Sequence, residues 1–186
     1  MNSLPNLLTL ARIAAIPVIA ATFFAPGAGL RWFACALFVA AALTDLLDGY
    51  LARRMGVVSA IGRFLDPIAD KLLVAAVLIL LAAFDGLSPG GVVAALIILL
   101  REVLVSGLRE HLAEMRVGLP VSKLAKWKTA VQMAALTLLL GAGAAPGAWR
   151  LQTIGEVCLW IAAILTAVTG WDYLRAGLRA MRRAPS

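Results

Sequence analysis

The sequence predicts an all-α, polytopic membrane protein with six transmembrane helices and both termini cytoplasmic. Three observations carry that reading. Of 186 residues, 62% are hydrophobic and 15% are charged, against about 45–50% and about 25% in an ordinary soluble domain. The apolar residues gather into runs of about 20, the length at which a helix crosses a bilayer. Gly- and Pro-rich breakers separate those runs. Together the runs occupy most of the chain, which leaves no length for a soluble catalytic domain. The same composition excludes disorder. It also excludes a disulfide scaffold, because the two cysteines, Cys35 and Cys158, each lie in an apolar run and read as small core residues.

The first span is Leu7–Phe24, closed by the turn Ala25-Pro26-Gly27. The second, Leu30–Tyr50, runs into a polar loop around residues 51–66. The third, Pro67–Phe84, opens on a proline, and Asp66 before it fits an N-cap with Pro at the first helical position. It ends at Asp85-Gly86-Leu87-Ser88-Pro89. Gly90–Leu108 is the fourth span, followed by a second polar loop over residues 109–123. The fifth, Leu124–Gly143, stops at Ala145-Pro146-Gly147. The sixth is Leu151–Tyr173, and the tail Leu174–Arg183 reads as a solvated stop-transfer flank, the alternative being an interfacial amphipathic helix drawn to anionic lipid. No repeat or low-complexity linker interrupts the chain, so residues 1–186 read as one domain. Pro5 and Asn6 precede the first positive charge, Arg12, which is not the basic opening of a cleaved signal peptide.

The net charge of +7 is explained by topology. Of 17 Lys and Arg, 12 lie in or beside the two long loops and the tail: Arg53, Arg54, Arg63, Arg109, Arg116, Lys123, Lys126, Lys128, Arg175, Arg179, Arg182 and Arg183. Positive residues favour the cytoplasmic side, which puts both termini and both long loops there. With no soluble surface left to carry a basic groove, nucleic acid is not an expected partner. The five Trp residues fall mostly near span ends, where they anchor to the interface.

The informative residues are the ionisable ones in or beside apolar sequence, each carrying a penalty of about 2.5–3.5 kcal/mol at a helix centre. Four carboxylates cluster in this way. Asp45 and Asp48 end the second span at spacing i,i+3; Asp66 and Asp70 begin the third at i,i+4, so each pair shares a helix face. Four bare carboxylates repel one another, and divalent cations relieve that repulsion. Hard oxygen ligands with no cysteine or histidine nearby favour Mg²⁺, Mn²⁺ or Ca²⁺ over zinc.

The spacing is more specific still. Asp45-x-x-Asp48-Gly49-x-x-Ala52-Arg53, then Gly62, Asp66 and Asp70, make eight positions within 26 residues. This pattern resembles the signature of the CDP-alcohol phosphotransferase family and agrees with it at every position. The resemblance implies a direct transfer, in which an alcohol hydroxyl attacks the lipid-linked phosphorus of a CDP-lipid and CMP leaves. It further implies that Asp45, Asp48, Asp66 and Asp70 bind two divalent cations, Mg²⁺ or Mn²⁺, with Asp70 also the general base. Gly49, Ala52, Arg53 and Gly62 would form the CDP-binding face; Asn6 and Thr9 are either further nucleotide ligands or caps of the first helix. The physics agrees: glycine lets backbone approach a diphosphate, and arginine offers phosphate a bidentate donor.

Three further stretches resemble bacterial phosphatidylglycerophosphate synthases. They are Leu4-Pro5-Asn6-Leu7-Leu8-Thr9-Leu10-Ala11-Arg12, Arg101-Glu102-Val103-Leu104-Val105-Ser106-Gly107-Leu108-Arg109-Glu110, and Lys126-Trp127-Lys128-Thr129-Ala130-Val131-Gln132-Met133. Ala125 departs from that pattern, standing where glycine is expected before Lys126. This second resemblance implies CDP-diacylglycerol as donor and glycerol 3-phosphate as acceptor, in a homodimer of the bacterial cytoplasmic membrane with its active site on the cytoplasmic side. A phosphorylated acceptor near a carboxylate cluster needs fixed cations, and Arg101, Arg109, Lys126 and Lys128 are the candidates; the alternative for each is a positive-inside residue or a pair with Glu102 or Glu110. The alternatives are another acceptor alcohol (inositol phosphate, serine or phosphatidylglycerol) and, from a different class, an ion transporter, because intramembrane carboxylates also mark ion pathways.

Overall fold

A computed structural model gives six helices in chain order: α1 (Leu4–Phe24), α2 (Ala28–Met55), α3 (Ala60–Ala83), α4 (Pro89–Glu114), α5 (Lys123–Ala144) and α6 (Trp149–Arg183). It describes residues 4–55, 60–115, 123–145, 147 and 149–183, with side chains at 4–5, 45–55, 60–61, 63, 123, 125–126 and 182–183 outside the description. The described residues contain no strand. Each predicted span falls on one helix, with Phe84 alone just past the end of α3.

Among the described residues three helical stretches are long and apolar enough to cross a membrane: Asn6–Phe24, Pro89–Glu114 and Trp149–Met181. The other three helices hold most of the ionisable residues that define the sequence motifs. Within the described residues of α2, Ala28–Thr44 forms a shorter apolar stretch. Helix α3 carries Arg63, Asp66, Asp70 and Lys71, and α5 opens with Lys123, Lys126 and Lys128. Leu7, Leu100, Val103, Trp127 and Trp149 are each more than 60% exposed. Large apolar side chains facing outward on so many turns need lipid around them. The chain is an integral membrane protein.

The chain forms two compact units, Met1–Leu87 with Leu136–Ile154, and Ser88–Ala135 with Gly155–Ser186. In the first, α1 packs on α2 and α3, and Ile19, Phe38, Leu73, Val77, Leu78, Leu136 and Leu139 are buried. Helix α1 has its polar stripe inside. Asn6, Thr9 and Arg12, spaced i, i+3, i+6, are buried, whereas Leu7 and Leu10 face out.

Two expected helix ends change. Helix α3 begins at Ala60, so Pro67 lies inside it and Asp66 is not an N-cap. The proline removes one backbone donor, which deprives the carbonyl four residues earlier of its helical partner without stopping the helix. Asp66 and Asp70 therefore stand in the body of α3. Its other end is closed by Asp85 in the left-handed region (φ 55°), with Gly86 N donating to Leu81 O at 2.8 Å, a Schellman closure. Helix α6 also continues through the expected tail to Arg183, and the Arg175 guanidinium lies 4.9 Å from the centre of the Trp171 ring.

In the second unit, α4 starts from an N-cap at Ser88, whose Oγ accepts from Gly91 N at 3.1 Å, with Pro89 in the first turn. Glu156 of α6 receives the Ser88 N–H at 2.7 Å and its hydroxyl at 2.5 Å. Further along, two glycines of α6 take side chains of α4. A methyl on Gly170 would stand 2.7 Å from Arg101 Cγ, and one on Gly177 would stand 2.8 Å from Leu108 Cδ1. Both pairs are spaced by seven residues, so the absence of Cβ atoms every second turn lets α4 and α6 approach closely.

Candidate functional site

In the first unit, α1 meets α3 through two polar rungs. The Thr9 hydroxyl donates to Asp66 Oδ1. One turn further along both helices, Arg12 Nη1 lies 2.5 Å from Asp70 Oδ1. The i,i+3 spacing of α1 thus matches the i,i+4 spacing of α3. The Arg12 side chain is fully buried and that of Asp70 is 33% exposed, so the carboxylate is the member of the pair that reaches solvent. Asn6 and Gly62 are buried on the same two helices, one turn before Thr9 and Asp66.

Asp66 and Asp70 supply hard oxygen donors one turn apart, and among the described residues no group of three or more His, Cys, Asp or Glu comes together. The donor chemistry of this pair fits a hard divalent cation. The side chains of Asp45, Asp48, Ala52 and Arg53, and the surroundings of Gly49, lie outside the described residues. Arg12 was missed as a site residue. Its signal was present in the sequence, as a charge in an apolar run sharing a helix face with Asn6 and Thr9.

Of the four cations expected at the acceptor site, the structure brings two together in the second unit. Glu102 Oε1 accepts from Arg101 Nη1 at 3.2 Å and from Lys128 Nζ. Arg101 also donates from Nε to Thr166 O at 3.1 Å and from Nη2 to Thr169 Oγ1 at 3.0 Å. Gln132, one turn beyond Lys128 on α5, is buried, and its Oε1 has no partner among the described residues. Arg109 is exposed and forms no ion pair with the described residues. The Lys126 side chain lies outside the description.

The Thr9 rung gives a first prediction. Thr9→Val keeps the shape but removes the donor to an ionised acceptor, a bond contributing about 1.5–3 kcal/mol. Thermal unfolding in detergent should show the loss, and initial rates should fall about tenfold as Asp66 loses its orientation. Thr9→Ser, which retains the hydroxyl, should stay near the parent in both measurements.

Comparison with known proteins assigns these features to a membrane-embedded group-transfer enzyme. A model of the CDP-alcohol phosphatidyltransferase family matches residues 2–168, and the chain belongs to that family. It is 48% identical over 176 residues to the CDP-diacylglycerol–glycerol-3-phosphate 3-phosphatidyltransferase of Rickettsia typhi, covering 95% of this chain and 97% of that protein. The protein of the same name from Cereibacter sphaeroides is 41% identical over 213 residues, covering 95% of this chain and 96% of its own length. A cardiolipin synthase (CMP-forming) of Oryza sativa subsp. japonica is 39% identical over 186 residues, covering 93% of this chain and 56% of that protein.

Proposed function

We propose that this chain transfers the phosphatidyl group of CDP-diacylglycerol to sn-glycerol 3-phosphate, giving phosphatidylglycerophosphate and CMP. The observation that supports this most directly is the pair of rungs setting Asp66 and Asp70 against Thr9 and Arg12, in a chain similar over nearly its whole length to relatives that carry the name of this reaction. Asp70 accepts the proton of the acceptor hydroxyl as its oxygen bonds to the phosphorus bearing diacylglycerol. The bond from that phosphorus to the CMP oxygen breaks, and CMP departs with the electron pair. Arg12, buried behind Asp70, holds the carboxylate in place while this occurs.

Asp45, Asp48, Asp66 and Asp70 would hold two divalent cations, Mg²⁺ or Mn²⁺. Such ions, when bound, offset the charge of the diphosphate and of the departing oxygen. Gly49, Ala52, Arg53 and Gly62, with Asn6 and Thr9, bind the CDP moiety. Arg101, Arg109, Lys126 and Lys128 supply counter-charge for the acceptor's phosphate. All six helices span the bacterial cytoplasmic membrane, with both termini and the active site on the cytoplasmic side, where glycerol 3-phosphate and CMP are soluble. Residues 1–186 act as one catalytic domain, and the enzyme works as a homodimer.

The test is CMP release from CDP-diacylglycerol by the protein in lipid nanodiscs, with glycerol 3-phosphate, inositol phosphate, serine or phosphatidylglycerol as acceptor. Release is expected with glycerol 3-phosphate, to stop on chelation, and to resume with Mg²⁺ or Mn²⁺. Release with a different acceptor alone would overturn the substrate assignment and leave the reaction class standing.

A further inference from the structure

Each nitrogen of the Arg101 guanidinium donates to protein. Its Nε, Nη2 and Nη1 donate to the Thr166 carbonyl, the Thr169 hydroxyl and the Glu102 carboxylate at 3.1, 3.0 and 3.2 Å. Its Cζ lies 5.8 Å from the centre of the Tyr173 ring. It crosses α6 at Gly170, where a methyl would stand 2.7 Å from Cγ and 3.2 Å from Nε. A guanidinium bound in this way commits three of its five N–H donors, one on each nitrogen, to α6 and Glu102. The Glu102 oxygen that Arg101 holds also accepts Lys128 Nζ. The Glu102 and Lys128 side chains are only 15% and 9% exposed. Support therefore passes in order from α6 to Arg101, from Arg101 to Glu102, and from Glu102 to Lys128. A lysine ammonium is a point charge on a flexible four-carbon stem, so its location depends on what grips its end.

We propose that Glu102 is a positioning residue for the acceptor: it fixes the Lys128 ammonium, and Arg101 serves by anchoring Glu102 to α6. The proposal rests on the reading that Lys128 carries charge for the acceptor's phosphate. It reassigns Arg101 from phosphate ligand to anchor, and it makes Gly170 part of the device, because only a residue without a side chain lets Arg101 lie where it does. A fixed ammonium is matched to a phosphate, and an acceptor alcohol without one gains nothing from it. The device thus acts on acceptor affinity and leaves the transfer step alone.

Glu102→Gln keeps the shape and an acceptor oxygen but removes the charge that grips Lys128. In nanodiscs the KM for glycerol 3-phosphate should rise about tenfold, with kcat and the KM for CDP-diacylglycerol within about threefold of the parent. Lys128→Met should raise the same KM, and adding Glu102→Gln to it should raise it no further, because residues acting through one contact are not additive. Additive effects would overturn the proposal. So would a lower melting temperature with an unchanged acceptor KM in Glu102→Gln, since that is a purely structural role. If Lys128→Met leaves the acceptor KM unchanged, the acceptor-site reading falls and this proposal falls with it. If Lys128→Met raises the KM and Glu102→Gln does not, only this proposal falls. Should Glu102→Gln not fold, Gly170→Ala carries the test, since it displaces Arg101 and touches neither partner. A several-fold rise in acceptor KM alone upholds the proposal, and an unchanged KM overturns it.

Discussion

Asp70→Asn is expected to lower CMP release by about a thousandfold, within the range for loss of a general base, while the protein stays folded and monodisperse in detergent. The amide keeps the size of the carboxylate and an oxygen that still accepts from Arg12, so the rung between α1 and α3 persists. What it loses is basicity and charge. An acceptor hydroxyl then has nowhere to place its proton as its oxygen bonds to phosphorus. One of the four side chains proposed to hold divalent cations is weakened at the same time. The rung makes the outcome interpretable: Arg12 is fully buried at 2.5 Å from Asp70 Oδ1, and a truncation such as Asp70→Ala would leave that guanidinium facing a cavity. Unfolding would then be confused with loss of catalysis. The check is a rate measurement beside a melting curve. Turnover near the parent level would remove Asp70 from the base role whatever the melting curve shows.

The helix order was legible because Ala25-Pro26-Gly27, Asp85–Pro89 and Ala145-Pro146-Gly147 interrupt the apolar runs cleanly. The helix ends were not. Hydropathy marks where a helix stays apolar, whereas its hydrogen bonding continues as long as residues of good propensity follow. The tail Leu174–Arg183 is rich in Leu, Ala, Arg and Met, and α6 accordingly runs to Arg183. Pro67 suggested a helix start, but a proline deprives only one carbonyl of its donor, and α3 spans it. The Asp66–Asp70 pair was legible because i,i+4 spacing fixes a shared face within a single helix. The partner of Asp70 was not, because Arg12 is 58 residues away, whereas Glu102 was already one of two acidic partners open to Lys128, 26 residues off. No periodicity specifies which turn of one helix meets which turn of another. The residue that reads as a topological oddity, a cation in an apolar run, is the one whose partner lies across the fold.

Arg12 is also where the second large effect is expected. Arg12→Gln should reduce kcat about a hundredfold, because displacing a catalytic group by about an ångström has that consequence, and should leave both KM values near the parent. Asp70 is 33% exposed, so water takes over part of the lost pairing. The stability loss should therefore fall below the roughly 3–5 kcal/mol seen when a wholly buried pair is broken. Arg12→Lys separates charge from geometry. Lysine restores the positive charge beside Asp70 but not the planar fork that holds it from a buried position, so stability should recover more fully than kcat. If the charge alone mattered, lysine would restore both. If the arginine were only a packing element, Arg12→Met would match the parent in turnover per folded molecule. A hundredfold loss in Arg12→Gln with partial rescue by lysine is the pattern expected of a group that sets where the base stands. It would mark the buried face of α1 as part of the catalytic apparatus, though that face carries none of the eight signature positions.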